Sequence, residues 1–136
     1  MARSKSQKPP SPQSPSNWTL TAEQESALKA LDSFVHSQEK LYLLTGYAGT
    51  GKTTLLQLFI RQLREQGDRR SIVFSAFSNK ATKVLSIMAN QWGLQIDTMT
   101  CCKLLGLRPV VDEQTGKQVF RPDRQQGSQI ERYDLV

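Results

Sequence analysis

The chain has 136 residues, room for one small domain, and its 38% hydrophobic content sits somewhat below a typical globular share. A net charge of +6 favours acidic partners such as nucleic acid, but the 18 Lys and Arg residues form no single block, so most of them read as a solvated surface. No apolar run approaches a membrane span or forms a signal-peptide core near Met1. Cys101 and Cys102 are adjacent and His36 stands alone, which excludes a disulfide framework and a multi-histidine metal site; a reducing, cytoplasmic setting is expected.

Residues 1–17 hold Ser, Pro, Gln and basic residues with little to bury, and are expected to form a disordered tail whose charge comes from Arg3, Lys5 and Lys8. From Trp18 to Val136 the chain reads as ordered. Thr21-Ala22-Glu23-Gln24 has the form of a capping box, and a helix is expected from there to about Ser37 with Leu28, Leu31 and Val35 on one face. Leu41-Tyr42-Leu43-Leu44 is the short apolar run of a strand covered on both faces, which places a first strand at Leu41–Thr45. Leu55, Leu56, Phe59, Ile60 and Leu63 recur at helical spacing, predicting a helix over Lys52–Gln66, and Gly67 stands where its cap belongs. Ser71–Ala76 is a second strand. Asn79–Gln91 is a helix with Ala81, Val84, Leu85 and Met88 inward, closed by Gly93. Asp97–Leu107 reads as a loop with a short helical turn. Val110-Val111 and Val119-Phe120 flank Thr115-Gly116, the pattern of a hairpin, and Tyr133-Asp134-Leu135-Val136 opens another strand. Strand, helix, strand, helix in this order implies an α/β fold, with parallel strands joined by right-handed crossovers.

The richest stretch is Gly46-Tyr47-Ala48-Gly49-Thr50-Gly51-Lys52-Thr53, which fits the phosphate-binding pattern G-x-x-x-x-G-K-[ST] at every fixed position. A triphosphate needs several donors converging on its oxygens, and backbone N–H groups supply them only where the chain curls tightly. Gly46, Gly49 and Gly51, lacking Cβ, permit the curl. Lys52 brings a positive charge to the β- and γ-phosphates, and the Thr53 hydroxyl is a Mg²⁺ ligand, with Thr54 beside it in the same first turn. The expected cofactors are ATP and Mg²⁺. The strand before and the helix after are the context this motif requires. The plainer reading is a glycine-rich turn with an incidental lysine. Tyr47 reads either as flanking the base or ribose or as a variable loop residue.

Several segments together resemble the first motor domain of superfamily 1 DNA helicases, in the RecD-like, 5′-to-3′ branch. Leu20-Thr21-Ala22-Glu23-Gln24 is similar to the family's opening motif, Gly46 to Thr53 to its Walker A loop, Ser75 to Leu85 to its motif Ia, and Thr100 to Leu107 to the segment that follows. Phe77 stands where the family usually has proline, and Cys102 where it usually has histidine. The resemblance implies a RecA-like P-loop sheet flanked by helices over residues 18–136, ATP hydrolysis coupled to movement along single-stranded DNA, and Gln24 as reader of the adenine. It also implies that the acidic Walker B pair lies past Val136, where this chain stops, as does the second motor domain. The expectation is an N-terminal portion of the motor that alone hydrolyses ATP poorly and unwinds nothing.

Each role has a plainer alternative. Gln24 can instead bond back to Thr21 as the third residue of the capping box. Ser78, Asn79 and Lys80 follow a strand and open a helix, where hydroxyl, amide and ammonium donors suit a nucleic-acid phosphate; Ser78 or Asn79 could equally serve only as a cap. Thr100 and Lys103 are further candidates for the strand backbone, while Lys83 reads as surface. Cys101 and Cys102 read as packed thiols. Val110-Val111-Asp112-Glu113 imitates an acidic metal motif, but the turn that follows makes it a hairpin tip. Two other classes of function stay open: a nucleotide-binding adaptor without motor activity, and a small P-loop kinase.

Overall fold

The computed structural model describes residues 19–46 and 51–136; the tail at 1–17, Trp18, and Tyr47, Ala48, Gly49 and Thr50 of the glycine-rich loop lie outside the described residues. The architecture is mixed α/β, with helices and a small parallel sheet. Two compact units divide at Phe59 and Ile60. No helix among the described residues is long and apolar enough to cross a membrane.

In the first unit, helix α1 spans Ala22–Val35 and starts from Thr21 in extended backbone. The capping box forms in both directions: the Gln24 N–H donates to Thr21 Oγ1 at 3.2 Å, and the Thr21 N–H donates to Gln24 Oε1 at 3.0 Å. Leu28, Leu31 and Val35 are buried, the apolar stripe the spacing predicts. Beyond α1, the Phe34 and Tyr42 rings meet at 5.6 Å between centroids. Here the expected first strand does not form. Leu41–Thr45 carries no strand pairing among the described residues, and Leu41 and Leu43 are 84% and 79% exposed. Apolar composition gives a segment a strand's appetite for burial, but a strand exists only where a neighbour takes up its N–H and C=O groups.

Helix α2 spans Lys52–Glu65, and the division between the units falls within it. Leu55, Phe59, Ile60 and Leu63 are buried at the predicted spacing, and so is Gln57, whose amide atoms make no hydrogen bond among the described residues. The helix ends in a reciprocal cap: the Gly67 N–H bonds to Arg64 O at 3.1 Å and the Asp68 N–H to Leu63 O at 2.9 Å. The left-handed backbone at Gly67, with φ 86°, makes this possible.

In the second unit, strand β1 (Val73–Ala76), helix α3 (Asn79–Gln91) and strand β2 (Asp97–Thr100) form a β-α-β unit in which β2 lies parallel to β1, Val73 opposite Asp97 and Ala76 opposite Thr100. The β2 segment was expected to be loop; its four residues alternate too briefly to announce a strand, and β1 supplies the pairing. Leu135 forms a parallel bridge with Ile72, and the Val73 N–H donates to Leu135 O at 3.0 Å. Since β1 bonds β2 along one edge, Leu135 takes the other, as the opening of the strand expected at Tyr133–Val136. Val73, Met99 and Leu104 form the core here, with Tyr133 packed against it.

Helix α3 packs on β1 and β2 with a different face from the one predicted. Ala89 is buried and Leu85 and Met88 are half-buried, but Ala81 and Val84 are exposed. The face toward the sheet runs through Thr82, Leu85, Ser86 and Ala89, so two hydroxyl residues take places that hydrophobicity alone would give to Ala81 and Val84.

Helix α4 (Cys101–Leu105) follows β2 directly, and Gly106, at φ 67°, turns the chain into β3 (Leu107–Val111), which pairs antiparallel with β4 (Gln118–Pro122). The expected hairpin therefore forms, and it includes Pro109. The Asp112 N–H donates to Lys117 O at 2.9 Å, so hydrogen-bonded pairs alternate back from there and Pro109, opposite Phe120, falls at a position needing no N–H. A 3₁₀ turn at Ile130–Arg132 leads into the last segment.

Candidate functional site

The nucleotide-site candidates lie around the start of α2. Gly51 has φ 81°, a conformation that glycine adopts without strain. The first helical N–H bond runs from Leu55 to Gly51 O at 2.8 Å, so the N–H groups of the first turn (Lys52, Thr53, Thr54) have no acceptor within the helix. The Lys52 ammonium donates to the carbonyl of Gly46. Gln24 belongs to this neighbourhood: a Cβ placed on Gly51 would lie 3.7 Å from Gln24 Nε2. The two readings of Gln24 are thus compatible, because Oε1 accepts from Thr21 while Nε2 faces Gly51. First-turn N–H groups of a helix, an ammonium and the Thr53 hydroxyl are part of the donor set a polyphosphate with a magnesium ion requires. Tyr47, Ala48, Gly49 and Thr50 lie outside the described residues.

A cleft occurs in the second unit, between α3 and β2, reaching the carboxyl end of β2 at Thr100. It holds about 350 Å³ and is lined by Asn79, Thr82, Lys83 and Ser86 of α3, Thr98, Met99 and Thr100 of β2, and Lys103 of α4. The helix residues fall three and four apart and so share one face; Thr98 and Thr100 alternate along the strand and so share one side. The lining has ammonium, amide and hydroxyl groups and no carboxylate. Asp97, at the head of β2, accepts a 2.7 Å hydrogen bond from the Tyr133 hydroxyl, which holds the Tyr133 phenol above its ordinary value.

Of the residues expected to meet nucleic acid, Asn79, Thr100 and Lys103 come together in this cleft. Ser78 caps α3, its hydroxyl accepting from the Ala81 N–H at 3.1 Å, and Lys80 stands exposed in the first turn; neither lines the cleft. Thr100 does both, since Oγ1 accepts from the Lys103 N–H at 3.2 Å as the cap of α4. Lys83, read from sequence as surface, joins the lining, and Thr82, Ser86 and Thr98 were missed. The available signal was the polar run at positions 79, 82, 83 and 86, one helical face without an apolar residue.

Two further features bear on chemistry. The Asp112 carboxylate accepts from the N–H groups of Gln114 and Thr115, both at 2.9 Å, and these bonds, Thr115 foremost, hold its pKa below the ordinary value. It is a turn residue, as the sequence reading has it. Ser75 donates to Cys101 Sγ at 3.3 Å, and both cysteines are half-buried.

A family model described as AAA domain matches residues 19–132. An uncharacterized protein of Acanthamoeba polyphaga mimivirus is 30% identical over 113 residues, which cover 77% of this chain and 23% of that relative. The chain thus spans less than a quarter of the curated relative it matches. No solved structure matches it. The glycine-rich motif in the sequence and the match across most of the described residues agree: the chain belongs to the AAA domain family and is a P-loop NTPase domain.

Proposed function

We propose that this chain is the ATP-binding part of an ATP-dependent DNA helicase of the RecD-like type, in which hydrolysis drives movement along single-stranded DNA. The observation that carries the reading is the cleft between α3 and the carboxyl end of β2: its lining is cationic, rich in hydroxyls and free of carboxylates. Parallel sheets gather ligands at this end, and such donors suit a phosphodiester backbone. The motifs of the resemblance fall on both places, with Gln24 and Lys52 at the turn, and Asn79, Thr100 and Lys103 at the cleft.

In this reading Lys52 and Thr53 serve the catalytic cycle: Lys52 would neutralise charge on the transferred phosphate, and the Thr53 hydroxyl would hold Mg²⁺, which would supply further charge neutralisation there. Gln24 meets the base. In-line hydrolysis also needs a second metal ligand and a carboxylate that positions water. Asp112 and Glu113 do not supply that pair, since Asp112 is committed to the hairpin turn. We therefore expect the isolated chain to bind ATP with Mg²⁺ and to hydrolyse it poorly.

The test is binding of a labelled single-stranded oligonucleotide at several salt concentrations, with and without a non-hydrolysable ATP analogue. Lys83→Ala and Lys103→Ala are expected to weaken binding regardless of sequence, each reducing the slope of log affinity against log salt by about one. Lys52→Ala is expected to abolish nucleotide binding and leave oligonucleotide binding unchanged. Nucleotide binding with no oligonucleotide binding under any condition would favour the adaptor reading and sink the motor.

A further inference from the structure

The carboxyl end of β1 carries an aromatic pair that phosphate contacts leave unexplained. Phe77 lies between the last residue of β1 and the Ser78 cap of α3, and is 77% exposed. Phe120, from β4 of the hairpin, is 44% exposed and meets Phe77 edge-on, with centroids 6.4 Å apart and planes at 74°. An aromatic ring this exposed forfeits most of the benefit of burial. Its edge-to-face partner occupies little of its surface and braces it. Two residues after Phe77, Asn79 begins the wall of the cationic cleft, and Lys83 continues it one turn later.

We propose that Phe77 is a stacking platform for a base of single-stranded nucleic acid, held upright by Phe120, while the neighbouring phosphates occupy the cleft. The proposal rests on the cleft reading above and adds to it a contact with the bases. Charge complementarity commits the occupant. An apolar peptide would satisfy the ring but leave Lys83 and Lys103 unanswered, whereas a polyanion whose bases carry exposed π-faces satisfies both. A duplex is excluded because its bases are stacked on one another and offer no face to a side chain at the groove wall.

The experiment compares binding of labelled oligothymidylate with that of an abasic oligonucleotide of equal length, using the full chain. The wild type is expected to hold the thymidylate about tenfold more tightly than the abasic strand. Phe77→Leu is expected to lower thymidylate affinity to the abasic level while leaving abasic binding unchanged, which also reports that the variant is folded; Phe77→Trp is expected to restore the preference. Equal wild-type affinity for the two strands, or a Phe77→Leu loss that affects both alike, would overturn stacking even where Lys83→Ala still shows the cleft in use. Salt-insensitive or absent binding to both strands would overturn the cleft reading, and the stacking proposal with it.

Discussion

At the scale of single residues, Gly106 and Gln57 mark opposite ends of local optimisation. Gly106 sits at φ 67°, and a Cβ there would lie 2.3 Å from the carbonyl carbon and oxygen of Gly127 and 2.6 Å from the Ser128 nitrogen. Those are backbone atoms with no flexible end to move aside. They are also pinned: the Asp123 N–H bonds to Gly106 O at 2.6 Å and the Gln129 N–H to Leu104 O at 2.8 Å. Gly106→Ala is therefore expected to lower stability by at least about 2 kcal/mol, read by chemical denaturation, from the left-handed strain and the displaced loop together. Gln57 is 0% exposed, and among the described residues neither polar atom of its amide is bonded. Desolvating an unsatisfied group costs about 1–3 kcal/mol, so Gln57→Met, of similar volume, is expected to raise stability by about 1 kcal/mol. No gain in the denaturation midpoint would show that the amide has a partner after all. The two cases also separate what a sequence reveals. Gly67 and Gly93 could be placed as helix caps because the signal and its effect are neighbours in the chain. The need for glycine at 106 arises from Gly127 and Ser128, and no local pattern contains it.

At the scale of elements, the last segment is fastened by side chains as well as backbone. The Asp134 carboxylate accepts from the Ser71 N–H at 2.8 Å and the Ser71 hydroxyl at 2.9 Å, while the Asp134 N–H bonds to Ser71 O at 2.8 Å. The Ser71 N–H foremost, and then its hydroxyl, hold the Asp134 carboxyl below its ordinary value of 3.8. The folded state thus takes up a proton less readily than the unfolded chain, so this stabilisation is complete above the ordinary carboxylate range and is lost as pH falls through the lower folded value. Asp112 acts in the same direction through Thr115 and Gln114. Melting temperature is expected to fall on acidification below about pH 4, and less steeply in Asp134→Asn, whose side chain does not titrate. An unchanged acid limb in that variant would remove Asp134 from the account. Elements were legible in sequence where their cause was periodic or punctuated: α1 from its capping box, α2 from its leucines, the hairpin from Thr115-Gly116. They were not where pairing decides. Leu41–Thr45 has a strand's composition without a strand's neighbour among the described residues, and Asp97–Thr100 has the neighbour with little of the composition. The apolar count on α3 pointed to Ala81 and Val84, but the sheet selected Thr82 and Ser86, and that choice builds the cleft.

At the scale of the whole molecule, the two candidate functions have separate addresses in the chain. The phosphate-binding turn was legible because its chemistry is contiguous, from Gly46 to Thr53. The cleft was half legible: Asn79, Thr100 and Lys103 stand at element boundaries where a motif can flag them, whereas Lys83 and Thr98 become partners only when α3 packs over β2. The same topology sets an order in time. β1 and β2 join through one intervening helix, but the bond between Ser71 and Asp134 spans 63 positions, and chain closure over that distance carries an entropic cost that grows with length. On a ribosome, Asp134 and Leu135 are made after β1, α3 and β2, so β1 must wait with one edge bare until they emerge. In refolding, this contact is expected to form after the rate-limiting step. Asp134→Ala should then accelerate unfolding while leaving the folding rate nearly unchanged, and stopped-flow measurements of both limbs would show it.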